Sequence, residues 1–452
     1  MTTTSPSRPT GQAHPGPRRD ATGYGMAVLN KLAGLPVVER LGLREPVQKV
    51  VYQGTKVGFR TAGAASRQWA SVAKGGGKGT RPRPAGGSDL FDLTPTDEQG
   101  MIVDACRAFA AEQLRPLGSG ADTACEAPTA LLQRVNNELG VTFVAVPSSL
   151  GGAGDERSAV TNTLVAEALA HGDMGLAVAA LAPAAVCNAL VLWGDETQQA
   201  TYLPAFVGEN VPVAALAVLE PTTLFDPFEL ATTATRASGG GYTLAGTKSL
   251  VPGAVQAELF VVAARLDGTP RLFVVEGGSA GVTVESEPGM GLRAAATARV
   301  LLDDVAVPAT ALLGTAEDYR DAIRLSRLGW AALAVGTGQA VLDYVIPYVN
   351  DRTAFGEPVS HRQSVAFMVA NIGIELEGMR LATYRAASLA EQGRDFAKAT
   401  AMARRLTSEY GMKIGTDGVQ LLGGHGYVKE HPVERWYRDL RAVGMMEGAV
   451  LV

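Results

Sequence analysis

Arg352-Thr-Ala-Phe-Gly356, Gln363, Gln420-Leu-Leu-Gly-Gly-His-Gly-Tyr427, Tyr437-Arg-Asp439 and Met446-Glu447-Gly448 follow one another in the last hundred or so residues of the chain. Arg352 is a planar, permanently charged donor of the kind that suits a pyrophosphate. Phe355 offers a flat apolar surface to a ring. Gly423-Gly424 comes after a helix-spaced run (Leu406, Tyr410, Ile414) and permits unusual backbone angles and close approach of a dinucleotide. Read alone, the same pair is only a helix C-cap. Glu447 is a carboxylate able to take a proton. Its plain alternative is a solvated glutamate at a helix end.

The rest of the composition narrows the class. A chain of 452 residues, 46% hydrophobic and 19% charged, can bury large cores in two or three layers or domains. Cys106, Cys125 and Cys187 are far apart and odd in number, which argues against disulfides and zinc ribbons and for a reducing cytoplasm. Five scattered histidines with no HExxH argue against a metal site. The first 25 residues lack the apolar core of a signal peptide. Met174 to Gly194 is apolar enough to suggest a membrane span, but Pro183 and Asn188 interrupt it, so buried helices are expected there.

The net charge of −5 hides an asymmetry. Residues 1–88 carry 14 Lys/Arg against 3 Asp/Glu, and the remainder is acidic. Residues 1–25 read as disordered, residues 25–69 as one or two basic amphipathic helices, and Lys74 to Gly87 as a flexible linker. The extension is either a solubilising tail or oligomer strap, or an arm for anionic lipid or an acidic partner. Nucleic-acid binding is not expected, because the body is acidic.

Three domains are expected after this extension (1–88). Residues 89–210 read as helical, with Thr94 as first N-cap, Pro95 in the first turn, Asp97 and Glu98 on the helix dipole, and Pro116 as the helix exit. Residues 211–313 read as a β-domain, with runs at Ala231–Arg236, Tyr242–Ala245, Leu259–Ala264, Leu272–Val275, Val282–Glu285 and Ala298–Leu302. Residues 314–452 return to helix, where Gly336 and Gly338 would allow close helix packing.

Further motifs sharpen the reading: Leu93-Thr-Pro-Thr-Asp-Glu-Gln99, Val146-Pro-Ser-Ser-Leu-Gly-Gly152, Trp193-Gly-Asp-Glu-Thr-Gln-Gln-Ala-Thr-Tyr-Leu-Pro204, Leu219-Glu-Pro221, Gly246-Thr-Lys248 and Leu302-Asp-Asp-Val-Ala-Val-Pro308. With the C-terminal set, they make the body from about Leu93 resemble the FAD-dependent acyl-CoA dehydrogenase family, as a diverged member. The resemblance implies an α+β fold: an N-terminal helical domain, a central β-domain and a C-terminal four-helix bundle. It implies α,β-dehydrogenation of an acyl-CoA thioester, as in the β-oxidation of fatty acids, with Glu447 as base. Arg352, Phe355, Gln363, Gln420, Gly423 and Gly424 match cofactor-binding positions that reach the FAD of a neighbouring subunit, hence a homodimer or homotetramer. Arg327 matches the arginine near the CoA part of the substrate, and Gly448 would let substrate approach the backbone. A related subfamily carries its base just before that arginine, where this chain has Ser326. Electron transfer flavoprotein is the implied electron acceptor.

The chain departs from the family in its β-domain. A motif that usually reads T-E-P-G-x-G-S-D is Leu219-Glu-Pro-Thr-Thr-Leu-Phe-Asp226, and the aromatic and hydroxyl of W-I-T/S are Leu250 and Pro252. Ala449-Val-Leu-Val452 does not match the family's T-x-Q-type segment. These changes motivate an alternative: a non-catalytic acyl-CoA-binding relative, or one subunit of a hetero-oligomeric dehydrogenase. A flavin monooxygenase is a third reading, disfavoured by the retained Glu447.

Overall fold

A computed structural model describes residues 93–154 and 158–450. The extension and linker expected over 1–88 lie outside these residues. Thr96 opens the first helix, α1 (Asp97–Phe109). Its hydroxyl accepts the Gln99 N–H while the Gln99 side chain accepts the Thr96 N–H. The expected cap at Thr94 is therefore corrected to Thr96, which has the glutamine three residues on that closes a reciprocal capping box. Pro116 is not a helix exit either. The chain passes through a π-helical turn (Ala110–Leu114) into α2 (Arg115–Ala124), with Pro116 in its first turn. The wider turn displaces the hydrogen-bond ladder at the point where proline lacks a donor.

Helices α3 (Thr129–Arg134), α4 (Ala159–Gly172), α5 (Met174–Trp193) and α6 (Glu196–Tyr202) complete the first helical region. Asp173 caps α5 by accepting the Leu176 N–H at 3.1 Å. Helix α5 is long and apolar enough to cross a membrane, yet most of it is buried inside the protein.

Strands β1 (Ala214–Ala217), β2 (Thr233–Arg236), β3 (Tyr242–Val251), β4 (Leu259–Leu266), β5 (Thr269–Glu276), β6 (Val282–Ser286), β7 (Ala298–Val307) and β8 (Leu312–Leu313) form one sheet. Its order is β6-β7-β3-β2-β4-β5-β8, and β1 runs parallel to β4. Strand β4 reads as an unbroken apolar run from Leu259 to Ala264 because both its faces are covered there. Leu259, Val261 and Ala263 join the core shared with the helices, while Phe260, Val262 and Ala264 join a second core within the β-domain. The sequence reading missed β1 and β8: one is nearly all alanine and leucine, the other two residues long.

Helices α7 (Ala316–Asp351), α8 (Gln363–Glu391), α9 (Ala397–Leu421) and α10 (Val433–Leu440) form the C-terminal bundle. A side chain at Gly336 would collide with the Glu167 carbonyl of α4, and one at Gly338 would press on Leu376 and Ile414. These two glycines of α7 thus set its distance from α4, α8 and α9, as expected. Together these elements build the acyl-CoA dehydrogenase fold: helical N- and C-terminal domains around a central β-sheet domain.

Candidate active site

Helix α7 carries Tyr319, Ser326, Arg327 and Trp330 toward the place where the chain doubles back at Glu447. After α10, a short 3₁₀ turn (Arg441–Gly444) returns the backbone across the bundle. Glu447 and Gly448 then adopt left-handed φ values of +52° and +100°. A glutamate seldom pays for such a conformation unless the surroundings fix it. Arg327 does so by donating from Nε (3.1 Å) and Nη2 (2.8 Å) to the Glu447 carbonyl. Arg404, on α9, donates from Nη2 to the Gly448 carbonyl. The Ala449 N–H donates to the Phe225 carbonyl at 3.0 Å, which ties the segment to the β-domain.

Gly448 is sterically required here. A Cβ would lie 2.5 Å from Pro227 Cδ and 3.0 Å from Arg327 Nη2. Its glycine identity is thus explained by the approach of the β-domain loop, whatever it also allows a substrate. Tyr319 donates its hydroxyl to the Pro227 carbonyl at 2.5 Å and braces the same loop from α7.

The Glu447 side chain is only 6% exposed, and its Oε2 has no hydrogen-bond partner among the described residues. Burial pushes its carboxyl pKa above the usual range, opposed by the Arg404 charge, hydrogen bonding from Ser326, the Arg327 charge and hydrogen bonding from Trp330. A buried carboxylate with one open oxygen and two nearby cations can accept a proton from a ligand carbon. Ser326, which occupies the alternative base position, lies close enough to Glu447 to oppose the effect of burial on its carboxyl.

The loop facing Glu447 is anchored by a pair that the sequence reading quoted without joining. Lys248 Nζ meets Glu220 Oε1 at 2.8 Å, with both side chains essentially out of solvent. Glu220 also accepts the N–H groups of Ala231 (2.7 Å) and Thr232 (2.9 Å), and Lys248 donates to the Val218 carbonyl at 3.2 Å. Burial pulls the Lys248 pKa down to about 8, against the pull of Glu220. The Glu220 pKa is lowered: burial raises it, but Lys248 and the Thr232 hydrogen bonds outweigh that.

The altered β-domain positions present an apolar wall. Leu219 and Phe225 are buried in the main core. The Leu250 N–H is spent on Glu287 Oε2 at 2.8 Å, and the Ser249 hydroxyl on the same oxygen at 2.9 Å. Leu224 and Leu250 both hold left-handed φ values, +52° and +50°. The backbone keeps a glycine-like shape at Leu224, where the resemblance would place glycine.

The dinucleotide candidates gather elsewhere. Arg352 directly follows α7, Gln363 opens α8, and Gln420, Gly423 and Gly424 lie at the end of α9. The Tyr348 hydroxyl joins the ends of α7 and α9 by donating to the Leu422 carbonyl (3.2 Å) and pairing with His425 Nδ1 (2.8 Å). All five candidates are exposed, and Phe355 is 94% exposed with Arg362 over its ring at 5.1 Å. Gly423, at φ +58°, follows α9 as a left-handed helix end, and a side chain there would meet nothing within 4 Å. The sequence reading missed Gly426, where a side chain would strike the Val419 carbonyl. A guanidinium, two carboxamides and open backbone amides suit a dinucleotide pyrophosphate. This set and the buried Glu447 carboxyl are separate features of the chain. No cluster of three or more His, Cys, Asp or Glu fit to hold a metal occurs among the described residues.

Three family models match the chain: "Acyl-CoA dehydrogenase, N-terminal domain" over residues 96–210, the middle domain over 215–305, and the C-terminal domain over 318–450. The short/branched chain specific acyl-CoA dehydrogenase, mitochondrial, of Rattus norvegicus is 34% identical over 366 residues, covering 78% of this chain and 83% of that protein. The butyryl-CoA dehydrogenase of Megasphaera elsdenii superposes with a TM-score of 0.74 at 29% identity, covering 80% of this chain and 97% of its own. The FAD complex of PigA superposes with a TM-score of 0.73 at 26% identity, covering 80% and 96%. On this matching of all three domains, the chain belongs to the acyl-CoA dehydrogenase family.

Proposed function

We propose that the protein is an FAD-dependent acyl-CoA dehydrogenase in which Glu447 removes the α-proton of an acyl-CoA thioester. The observation that carries the choice of base is the buried Glu447 carboxyl, with one oxygen unpartnered and its backbone held by Arg327. In the step the α C–H bond breaks, and the carboxylate ends as a carboxylic acid. Bound FAD would accept the β-hydrogen as hydride, chemistry that no side chain can supply. Burial keeps water from the carboxylate, and the backbone clamps spare it a search for the right geometry. Arg327 holds the Glu447 carbonyl, and in this reading it also meets the CoA part of the substrate. The names of the relatives direct a first substrate panel to short straight and branched acyl-CoA thioesters.

Arg352, Phe355, Gln363, Gln420, Gly423 and Gly424 hold the dinucleotide, and the donor chemistry of this set fits its pyrophosphate. The β-domain face offers apolar contact at Leu219 and Leu250 in place of hydroxyls. A second copy of the chain covers the exposed set, giving a homodimer or homotetramer. What supports this is the exposure of Phe355 together with Phe367, Ile374 and Leu381, three exposed apolar residues seven apart on α8. Residues seven apart share a helix face, and such a stripe is costly to leave in water. Phe367→Glu with Ile374→Glu is expected to lower the mass seen by light scattering and to release FAD; unchanged mass would remove this face from the interface. Electron transfer flavoprotein is the proposed acceptor, to be tested by its reduction in an acyl-CoA-dependent assay.

The non-catalytic reading is the less favoured one, since the relatives are dehydrogenases along nearly their whole length. Anaerobic addition of butyryl-CoA to FAD-loaded protein is expected to bleach the flavin, and Glu447→Gln to abolish bleaching while FAD stays bound. Equal bleaching by Glu447→Gln would reject this base.

A further inference from the structure

We propose that Arg404 is a positioning residue that fixes the Glu447–Gly448 turn from behind and sets its positive charge against the buried Glu447 carboxyl. The inference rests on the reading of Glu447 as base and extends it to a residue outside every motif quoted from the sequence. Arg404 lies on α9 and is only 4% exposed. One nitrogen, Nη2, donates to the Gly448 carbonyl, while Nε and Nη1 have no partner among the described residues. A buried guanidinium normally satisfies its donors. Here the unmatched donors and the unmatched Glu447 Oε2 belong to the same buried corner.

The division of labour follows from the bonds. Arg327 holds the carbonyl of Glu447 and Arg404 holds that of Gly448, so adjacent peptide groups are gripped by cations from two different helices. Two strained φ values in succession are thereby fixed. The charges differ in what else surrounds them. Arg327 also feels Asp226 from the β-domain loop and Tyr319 from its own helix. Among the described residues Arg404 faces only the Arg327 and Glu447 charges, and burial pulls its own pKa down to about 10. Ser326 and Trp330 of α7 complete the surroundings of the carboxyl. Among the groups that oppose the effect of burial on the Glu447 carboxyl, the Arg404 charge has the largest influence.

The test is the pH dependence of kcat/KM for butyryl-CoA, read in FAD-loaded wild type, Arg404→Met and Arg404→Lys. An opposite charge at close range moves a carboxyl by about one unit or more. Arg404→Met is expected to move the acid limb up by about one unit, so that activity lost at pH 7 partly returns at higher pH. Arg404→Lys keeps the charge and is expected to keep the limb near that of wild type. A uniform loss at every pH, with the limb unmoved in Arg404→Met, would show a structural role only and overturn the proposal. The infrared carboxylate band of Glu447, identified by difference against Glu447→Gln, gives a second reading that needs no turnover. The ionised band is expected to fade at neutral pH in Arg404→Met; an unchanged band overturns the proposal. If Arg404→Met does not fold, Arg404→Gln takes its place, with the same outcomes. Turnover by Glu447→Gln at the wild-type rate would instead sink the base assignment, so the two failures are distinguishable.

Discussion

Replacing Lys248 with methionine removes the only cation paired to Glu220 among the described residues and leaves a carboxylate in the protein interior. The pair lies at 2.8 Å with neither side chain exposed. Breaking such a pair from one side typically costs about 3–5 kcal/mol, because the orphaned charge must be desolvated, protonated or hydrated by local opening. Two backbone N–H groups would still solvate Glu220, which places the expected loss near the lower end, about 3 kcal/mol. That is a large part of the 5–15 kcal/mol typical of a folded domain. The double variant Glu220→Gln with Lys248→Met removes both charges and should lose less than the single one, because no bare charge remains. Guanidinium unfolding followed by near-ultraviolet circular dichroism measures both. The functional consequence is local: Glu220 anchors the Leu219–Asp226 loop, whose Phe225 carbonyl receives the Ala449 N–H. Turnover should therefore fall in the single variant even below its unfolding midpoint. A loss of under about 1 kcal/mol for Lys248→Met would refute the argument that this pair is energetically closed to water.

Other expectations follow from single features. Arg327→Met removes two charge-assisted hydrogen bonds to one carbonyl; at about 1.5–3 kcal/mol in total, kcat should fall roughly 10- to 100-fold, whereas a rise confined to KM would assign Arg327 to substrate alone. Asp439 is buried, and its Oδ1 accepts the Leu292 N–H at 2.7 Å. Burial, with Asp173 nearby, raises its pKa from 3.8 to about 8. The folded state thus holds a proton that the unfolded chain has released, so the contribution of Asp439 to stability is full below about pH 4 and is lost as pH rises toward 8. Asp439→Asn should lose less melting temperature than wild type between pH 5 and 8; equal losses would show that Asp439 does not titrate in this window. Leu224 is exposed at φ +52°, a strain of roughly 1–2 kcal/mol offset in part by the greater unfolded-state entropy of glycine. Leu224→Gly should therefore be neutral or stabilising by up to about 1 kcal/mol, and clear destabilisation would mean that Leu224 makes contacts that outweigh its strain.

The readable parts of the sequence were those where one residue type has one physical use. Gly336 and Gly338 announced a close helix crossing. The first cap was misplaced by two residues because Thr94 and Thr96 are both good caps, and Gln99 chooses between them. Pro116 misled because a π turn accommodates it. At the candidate site, Glu447 was singled out by the resemblance to the family, through its place after Tyr437-Arg-Asp439. The Glu220–Lys248 pair and the grip of Arg327 and Arg404 were not, since these contacts join residues 28, 120 and 44 positions apart. Arg404 gave no signal at all, because an arginine on an amphipathic helix looks like any solvated surface charge until the fold covers it.

The measurement that tests the central claim most directly is the anaerobic bleaching of bound FAD by butyryl-CoA in wild type and Glu447→Gln, with FAD content measured in both. The account predicts that the two proteins carry equal flavin and that only the wild type bleaches. Bleaching at the same rate in both would contradict it.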